Sequence, residues 1–181
     1  KTYIGILAIL GAMLFALSPL SATGFVTLNP GNVNQCGDIG ANGTYTLNAS
    51  ISVNGTSCIN VSSKSNATID CAGFNITGNR TSNTYGIDVR YSSNITIRNC
   101  YIANFSSGIF LYSSNNSIVT NTSSINNSAE GIFITNQEFI PSRNNVITNV
   151  TANYNGNAGV YDVGINTTIA NSTFRFQTNA G

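Results

Sequence analysis

Apolar and polar residues alternate along this chain in short runs, and the runs return at a regular distance. Gly86, Gly108, Gly131 and Gly159 open successive versions of one phrase, GIDVRYSSNITIRN, GIFLYSSNNSIVTN, GIFITN with NNVITN, and GVYDVGINTTIAN, in steps of 22, 23 and 28 residues. Each version is an apolar run of period two, a polar Ser/Asn corner, a second short run and an Asn. Period two marks strands. A repeat near 22 with no helical period inside it predicts coils that stack because none can bury its own apolar face. The pattern predicts an all-β chain, a parallel solenoid with one strand row per side and about 22 residues per coil.

Alternation assigns the faces. With Ile87, Ile109, Ile132 and Val160 pointing inward, Val89, Leu111 and Ile134 follow them in, while Asp88, Phe110, Phe133 and Tyr161 point out. A second inward file runs Ile97, Val119, Ile147 and Ile169. Two residues further on lie Asn99, Asn121, Asn149 and Asn171, with Asn104, Asn126 and Asn153 as another file. Asn tolerates the left-handed backbone of a sharp corner, and stacked amides bond from coil to coil, so these files are read as structural. Stacked strands are expected from about Asn66 to Phe176, with residues 66–181 as the repeats and 23–65 as an N-terminal capping region and first coils.

Only 7% of the 181 residues are charged and the net charge is +1, so solubility rests on amides and hydroxyls. The regular placement of Ile, Val, Phe and Leu argues against disorder. No basic patch exists to neutralise phosphates, which argues against a nucleic-acid partner. Lys1, the apolar run Tyr3 to Leu17 and the small residues up to Ala22 read as an export signal over residues 1–22, cut after Ala22 or kept as a short anchor. That segment is the expected link to a membrane. The implied location is extracellular, cell surface or periplasmic, and further repeats or domains of the same polypeptide are expected beyond the last coil.

Export makes the cysteines readable. Cys36, Cys58, Cys71 and Cys100 are an even set, with no CxxC and no His beside them, so disulfides are expected in place of a metal site. Cys36 and Cys58 bracket the segment that closes the N-terminal end. Cys71 (TIDC) and Cys100 (TIRNC) follow equivalent strands of neighbouring coils, where a strand spacing of about 4.8 Å falls within disulfide range. The other reading of this second pair is two thiols stacked in the core. Fifteen N-x-S/T sequons follow Ala22 and read either as glycan acceptors or as a product of Asn-rich composition.

The stretch NATIDCAGFNITG, Asn66 to Gly78, followed by YGIDVRYSSNITIRNCYIANFSSGIFLYSSNNSIV, resembles the right-handed parallel β-helix family of secreted and cell-surface proteins. That family lies within the pectate-lyase-like superfamily, and the flavour is that of the NosD-like, periplasmic copper-associated group. The resemblance covers about residues 36–180 and implies a right-handed parallel β-helix. Lyases, hydrolases, adhesins and spacers share this fold, so activity must be argued from residues.

Lyases and hydrolases on it need carboxylates paired for acid and base work or gathered around Ca²⁺. After Ala22 the chain offers Asp38, Asp70, Asp88, Asp162, Glu130 and Glu138. Asp38 and Asp70 are expected in or near the cap. Asp88 and Asp162 are separated by about 14 Å along the axis, beyond the roughly 5–9.5 Å of a glycosidase pair. The Asp-Asp, Gly-His-Gly and Arg-Ile-Lys signatures of pectin-cleaving relatives are absent, and with no His the copper role of the NosD-like group has no ligands here. No catalytic residue, metal or cofactor is expected, and the chain reads away from an enzyme.

Surface remains. Phe110, Phe133 and Tyr161 form an outward file, with Asp88 before them and Arg90 and Tyr112 one alternation along. Aromatic rings on a polar face stack on sugars while neighbouring polar groups bond hydroxyls. The alternative is an aromatic ladder packed for structure. The segment Asn136 to Arg143, which lengthens one coil, adds Glu138, Phe139 and Arg143 as candidates. The expected function is an exported surface domain with a recognition or structural role, meeting polysaccharide or a surface protein. The alternatives are a carbohydrate-active lyase or hydrolase whose catalytic coils lie elsewhere in the polypeptide, and a passive spacer.

Overall fold

The computed structural model describes residues 26–178, so the export segment over residues 1–22 lies outside the described residues. Among these, strand follows strand with no helix between. One sheet holds Thr27–Leu28, Gly37–Ile39, Ile59–Ser62, Tyr85–Arg90, Ser107–Tyr112, Glu130–Thr135 and Ala158–Asp162, in chain order and all parallel. We call it the first sheet. A ten-stranded second sheet wraps the rest of the column. Its long strand Ile118–Ile125 pairs with Ser93–Arg98 through one half and with Tyr101–Ala103 through the other, turning the sheet around a corner at Asn121. Stacking begins where Thr27 pairs with Asp38, well before Asn66.

Both inward files stand in the expected register. Ile87, Ile109, Ile132 and Val160 pair strand to strand, with Ile59 before them. Ile97, Val119, Ile147 and Ile169 do the same in the second sheet, preceded by Tyr45 and Ile69. Coil repetition thus places Ile on Ile, and each fully buried side chain contributes about 1.5–3 kcal/mol. At the last coil the file runs out: Val160 is half-buried and Ile169 is 44% exposed, with nothing among the described residues stacked on it.

The repeat glycines are fixed by space. None of Gly86, Gly108, Gly131 or Gly159 has a left-handed backbone. A Cβ on Gly108 would meet the Ser124 hydroxyl and lie 2.9 Å from the Gly131 carbonyl, and one on Gly131 would lie 2.6 Å from the Gly159 carbonyl. The coils approach too closely there for any side chain.

Asparagines make the corners. Asn99, Asn121, Asn149 and Asn171 adopt φ of 56°, 47°, 53° and 50°, and Asn104 and Asn126 follow at 62° and 55°. The next member of that second file is Tyr154 (φ 57°), not Asn153, because the lengthened coil shifts the position by 28 residues. Asn153 instead accepts the Arg175 backbone N–H on its Oδ1 at 2.6 Å. Amide-to-amide bonds run along a different corner file, also left-handed: Asn94 donates to Asn66 at 3.2 Å, Asn144 to Asn116 at 3.4 Å and Asn166 to Asn144 at 3.4 Å.

Both disulfides form. Cys36–Cys58 and Cys71–Cys100 join neighbouring coils with Cα atoms 4.5 and 4.7 Å apart, one strand spacing in each case. The inserted segment Asn136 to Arg143 is a tight corner loop. Ser113 donates its hydroxyl to the Ile140 carbonyl at 2.7 Å, and the Ser142 N–H bonds Asn136 Oδ1 at 2.6 Å.

Candidate functional site

Strand alternation puts one continuous file on the outer surface of the first sheet. Asp38, Asn60, Asp88, Phe110, Phe133 and Tyr161 occupy successive strands in register, and Ser62, Arg90, Tyr112 and Thr135 form the neighbouring file. The rings touch along the axis. Tyr85 stacks on Phe110 with centroids 4.3 Å apart, Phe110 meets Phe133 at 5.2 Å and Phe133 meets Tyr161 edge-on at 5.5 Å. Tyr112 lies 5.8 Å from Phe110 and 5.4 Å from Tyr91.

Exposure is graded along this file. Phe110 points outward as expected, yet it is only 4% exposed, because Tyr85, Tyr112, Phe133 and Arg90 cover it. Phe133 is half-buried, and Tyr161 is 49% exposed. Phe110 is therefore packed beneath its neighbours, and the rings toward Tyr161 hold the accessible part of the file.

Arg90 ties the aromatic part to the polar part. Its Nε bonds Asp88 Oδ1 at 2.8 Å, and its guanidinium carbon lies 4.9 Å from the Phe110 centroid and 5.7 Å from those of Tyr85 and Tyr112. Burial pushes the Asp88 carboxyl above its ordinary value, against the pull of Arg90. Burial also opposes the charge on Arg90, but the hydrogen bond and charge of Asp88 outweigh it and raise its pKa. Tyr85 is likewise raised by burial.

On the N-terminal side of Arg90 the face opens into a cleft of about 350 Å³, lined by Asp38, Ser57, Asn60, Ser62, Asp88 and Arg90 among others. Asp38 thus belongs to the face itself, two strands from Asp88, and its Oδ1 accepts from Asn60 Nδ2 at 2.9 Å. The triplets Gly37-Asp38-Ile39, Ile59-Asn60-Val61 and Ile87-Asp88-Val89 carried that signal; the step from Asn60 to Asp88, 28 residues against the 22 from Asp38 to Asn60, obscured it.

The remaining acids lie apart. Asp162 pairs with Ile134 and so stands in register with an inward file, bonding the Gly164 N–H. Asp70 is on the second sheet, clamped by Arg98, Asn99 and the Ala72 N–H. Glu130 accepts from Ser107 at 2.8 Å and from Asn157 at 3.1 Å on the first sheet. Glu138, Phe139 and Arg143 are exposed on the corner loop, and Phe139, 92% exposed, makes no ring contact with the file among the described residues. Nor, among those residues, do three His, Cys, Asp or Glu side chains converge as metal ligands.

Parallel coils, two buried apolar files and close-stacked glycines define a β-solenoid with one aromatic outer face. A family model for the right handed beta helix region matches residues 37–181, and the chain belongs to that family. The resemblance to the pectate-lyase-like superfamily fits this membership. No match is found among curated proteins or among solved structures.

Proposed function

We propose that the chain is an exported surface domain that recognises carbohydrate, or a surface protein bearing it, through the outer face of the first sheet. The single observation behind this reading is the graded aromatic file, ending in exposed Tyr161 and flanked by Asp88, Arg90 and a polar cleft. Ring faces bury the apolar faces of sugars, and the flanking groups satisfy hydroxyls. Two disulfides support an oxidising compartment, in keeping with export to the cell surface or periplasm. Sequon asparagines such as Asn54 and Asn79 are exposed and open to glycans in an organism that makes them.

The test is a glycan array with the wild type and the Phe133→Ala/Tyr161→Ala protein. Binding by the wild type alone, with melting temperatures a few degrees apart at most, is the expected result. The second reading, a structural spacer, draws support from the mutual stacking of Tyr85, Phe110 and Phe133. It predicts no glycan binding by either protein and a large fall in melting temperature for the double variant.

A further inference from the structure

We infer that the ligand is an uncharged oligosaccharide laid along the column axis, with one sugar unit seated in the cleft at Asp38, Asn60 and Asp88; this rests on the recognition reading. Length comes first. The outer file from Asp38 to Tyr161 spans five strand steps, about 24 Å, which is an extended track and not a single-residue pocket. Its N-terminal part is a shallow, open hollow lined mainly by polar residues, and its C-terminal part is aromatic and exposed. A volume of about 350 Å³ sits at the small end of ligand sites, suited to one monosaccharide with its hydroxyls facing Asn60, Ser57, Ser62 and the carboxylates. The succeeding units then run over Tyr85 and Phe133 to Tyr161.

Charge selects the class. Asp38 and Asp88 place two carboxylates on this outer face, against Arg90 as its cation among the described residues. Arg90 is already engaged, by the Asp88 carboxylate on one side and three ring faces on the other. The nearest lysine, Lys64, rests its ammonium on the Gly40 carbonyl at 3.1 Å and does not line the cleft. A uronate chain would bring its carboxylates against like charge with no free cation to receive them. Hydroxyls, which donate to carboxylates and accept from Asn60, match what the cleft presents.

The test is calorimetric titration of the full chain at one ionic strength with cellohexaose, mannohexaose and hexagalacturonate. Binding of a neutral hexamer, at least tenfold weaker binding of hexagalacturonate, and a tenfold loss of neutral affinity in Asn60→Ala with unchanged melting temperature are expected. Hexagalacturonate binding as tightly as the neutral hexamers would overturn the charge argument and leave the recognition reading standing. Full neutral affinity in Asn60→Ala would overturn the seat in the cleft. If none of the three hexamers binds, a glycan-array hit of another class overturns this inference alone, and an empty array overturns both.

Discussion

Phe110 and Tyr161 occupy the same file two strands apart, but they answer to different forces. Phe110 is sealed by three rings and a guanidinium, so Phe110→Ala opens a hole in a packed cluster and is expected to cost about 3–5 kcal/mol in denaturant unfolding. Tyr161 has half its surface in water, and Tyr161→Ala is expected to change stability by about 0.5 kcal/mol or less. Equal costs for the two would show that the grading of exposure carries no energetic meaning. Asp70 supplies a pH signature. Burial pushes its carboxyl up, but bonds from Asn99, Ala72 and Arg98 outweigh this and hold it below its ordinary 3.8. A depressed carboxyl stabilises the folded state above its ordinary value, and that contribution is lost as pH falls through the lower, folded value. Wild type should therefore lose melting temperature more steeply than Asp70→Asn as pH drops from about 4; parallel curves would contradict the clamp.

Each coil is a unit whose apolar face exists only between neighbours, so a core substitution is felt on both sides. Ile109→Asn places an amide between Ile87 and Ile132 and should cost on the order of 2–5 kcal/mol in thermal melts; a change under about 1 kcal/mol would mean that the register is slipped by one residue. This register was legible in the sequence because strand alternation and coil repeat are both periodic, and Ile, Val and Leu sit where the two periods agree. The left-handed corners at Asn99, Asn104, Asn121 and Asn126 were legible for a similar reason, since Asn tolerates that backbone. What escaped was whatever depends on a change of period. The insertion moves the corner from Asn153 to Tyr154, and the bonded amide file at Asn66, Asn94, Asn116, Asn144 and Asn166 advances by alternating steps of 28 and 22 residues. Asp38 escaped because the early coils lack the full phrase. Alternation aimed Phe110 outward correctly, but its burial depends on Arg90 and Tyr85, whose side chains cross from adjacent positions.

Along the whole column, stability is not even. Both disulfides lie between Cys36 and Cys100, closing separations of 22 and 29 residues, and each is expected to contribute about 3 kcal/mol. The last described coil has exposed Ile169 and Tyr161 and, among the described residues, a neighbour on its N-terminal side alone. Amide hydrogen exchange of the oxidised protein should thus begin at the strands Ala158–Asp162 and Thr168–Ala170, and reduction should raise exchange most between Thr27 and Cys100. Uniform exchange would argue against coil-by-coil energetics. Recognition through one face of this column is tested most directly by NMR titration of the isotope-labelled full chain with a neutral hexasaccharide. Shifts confined to Asn60, Asp88, Arg90, Tyr112, Phe133, Tyr161 and their strand neighbours are the expected result. Shifts centred on the second sheet, around Arg98, Thr120 and Thr148, or on the corner loop at Phe139, would contradict it.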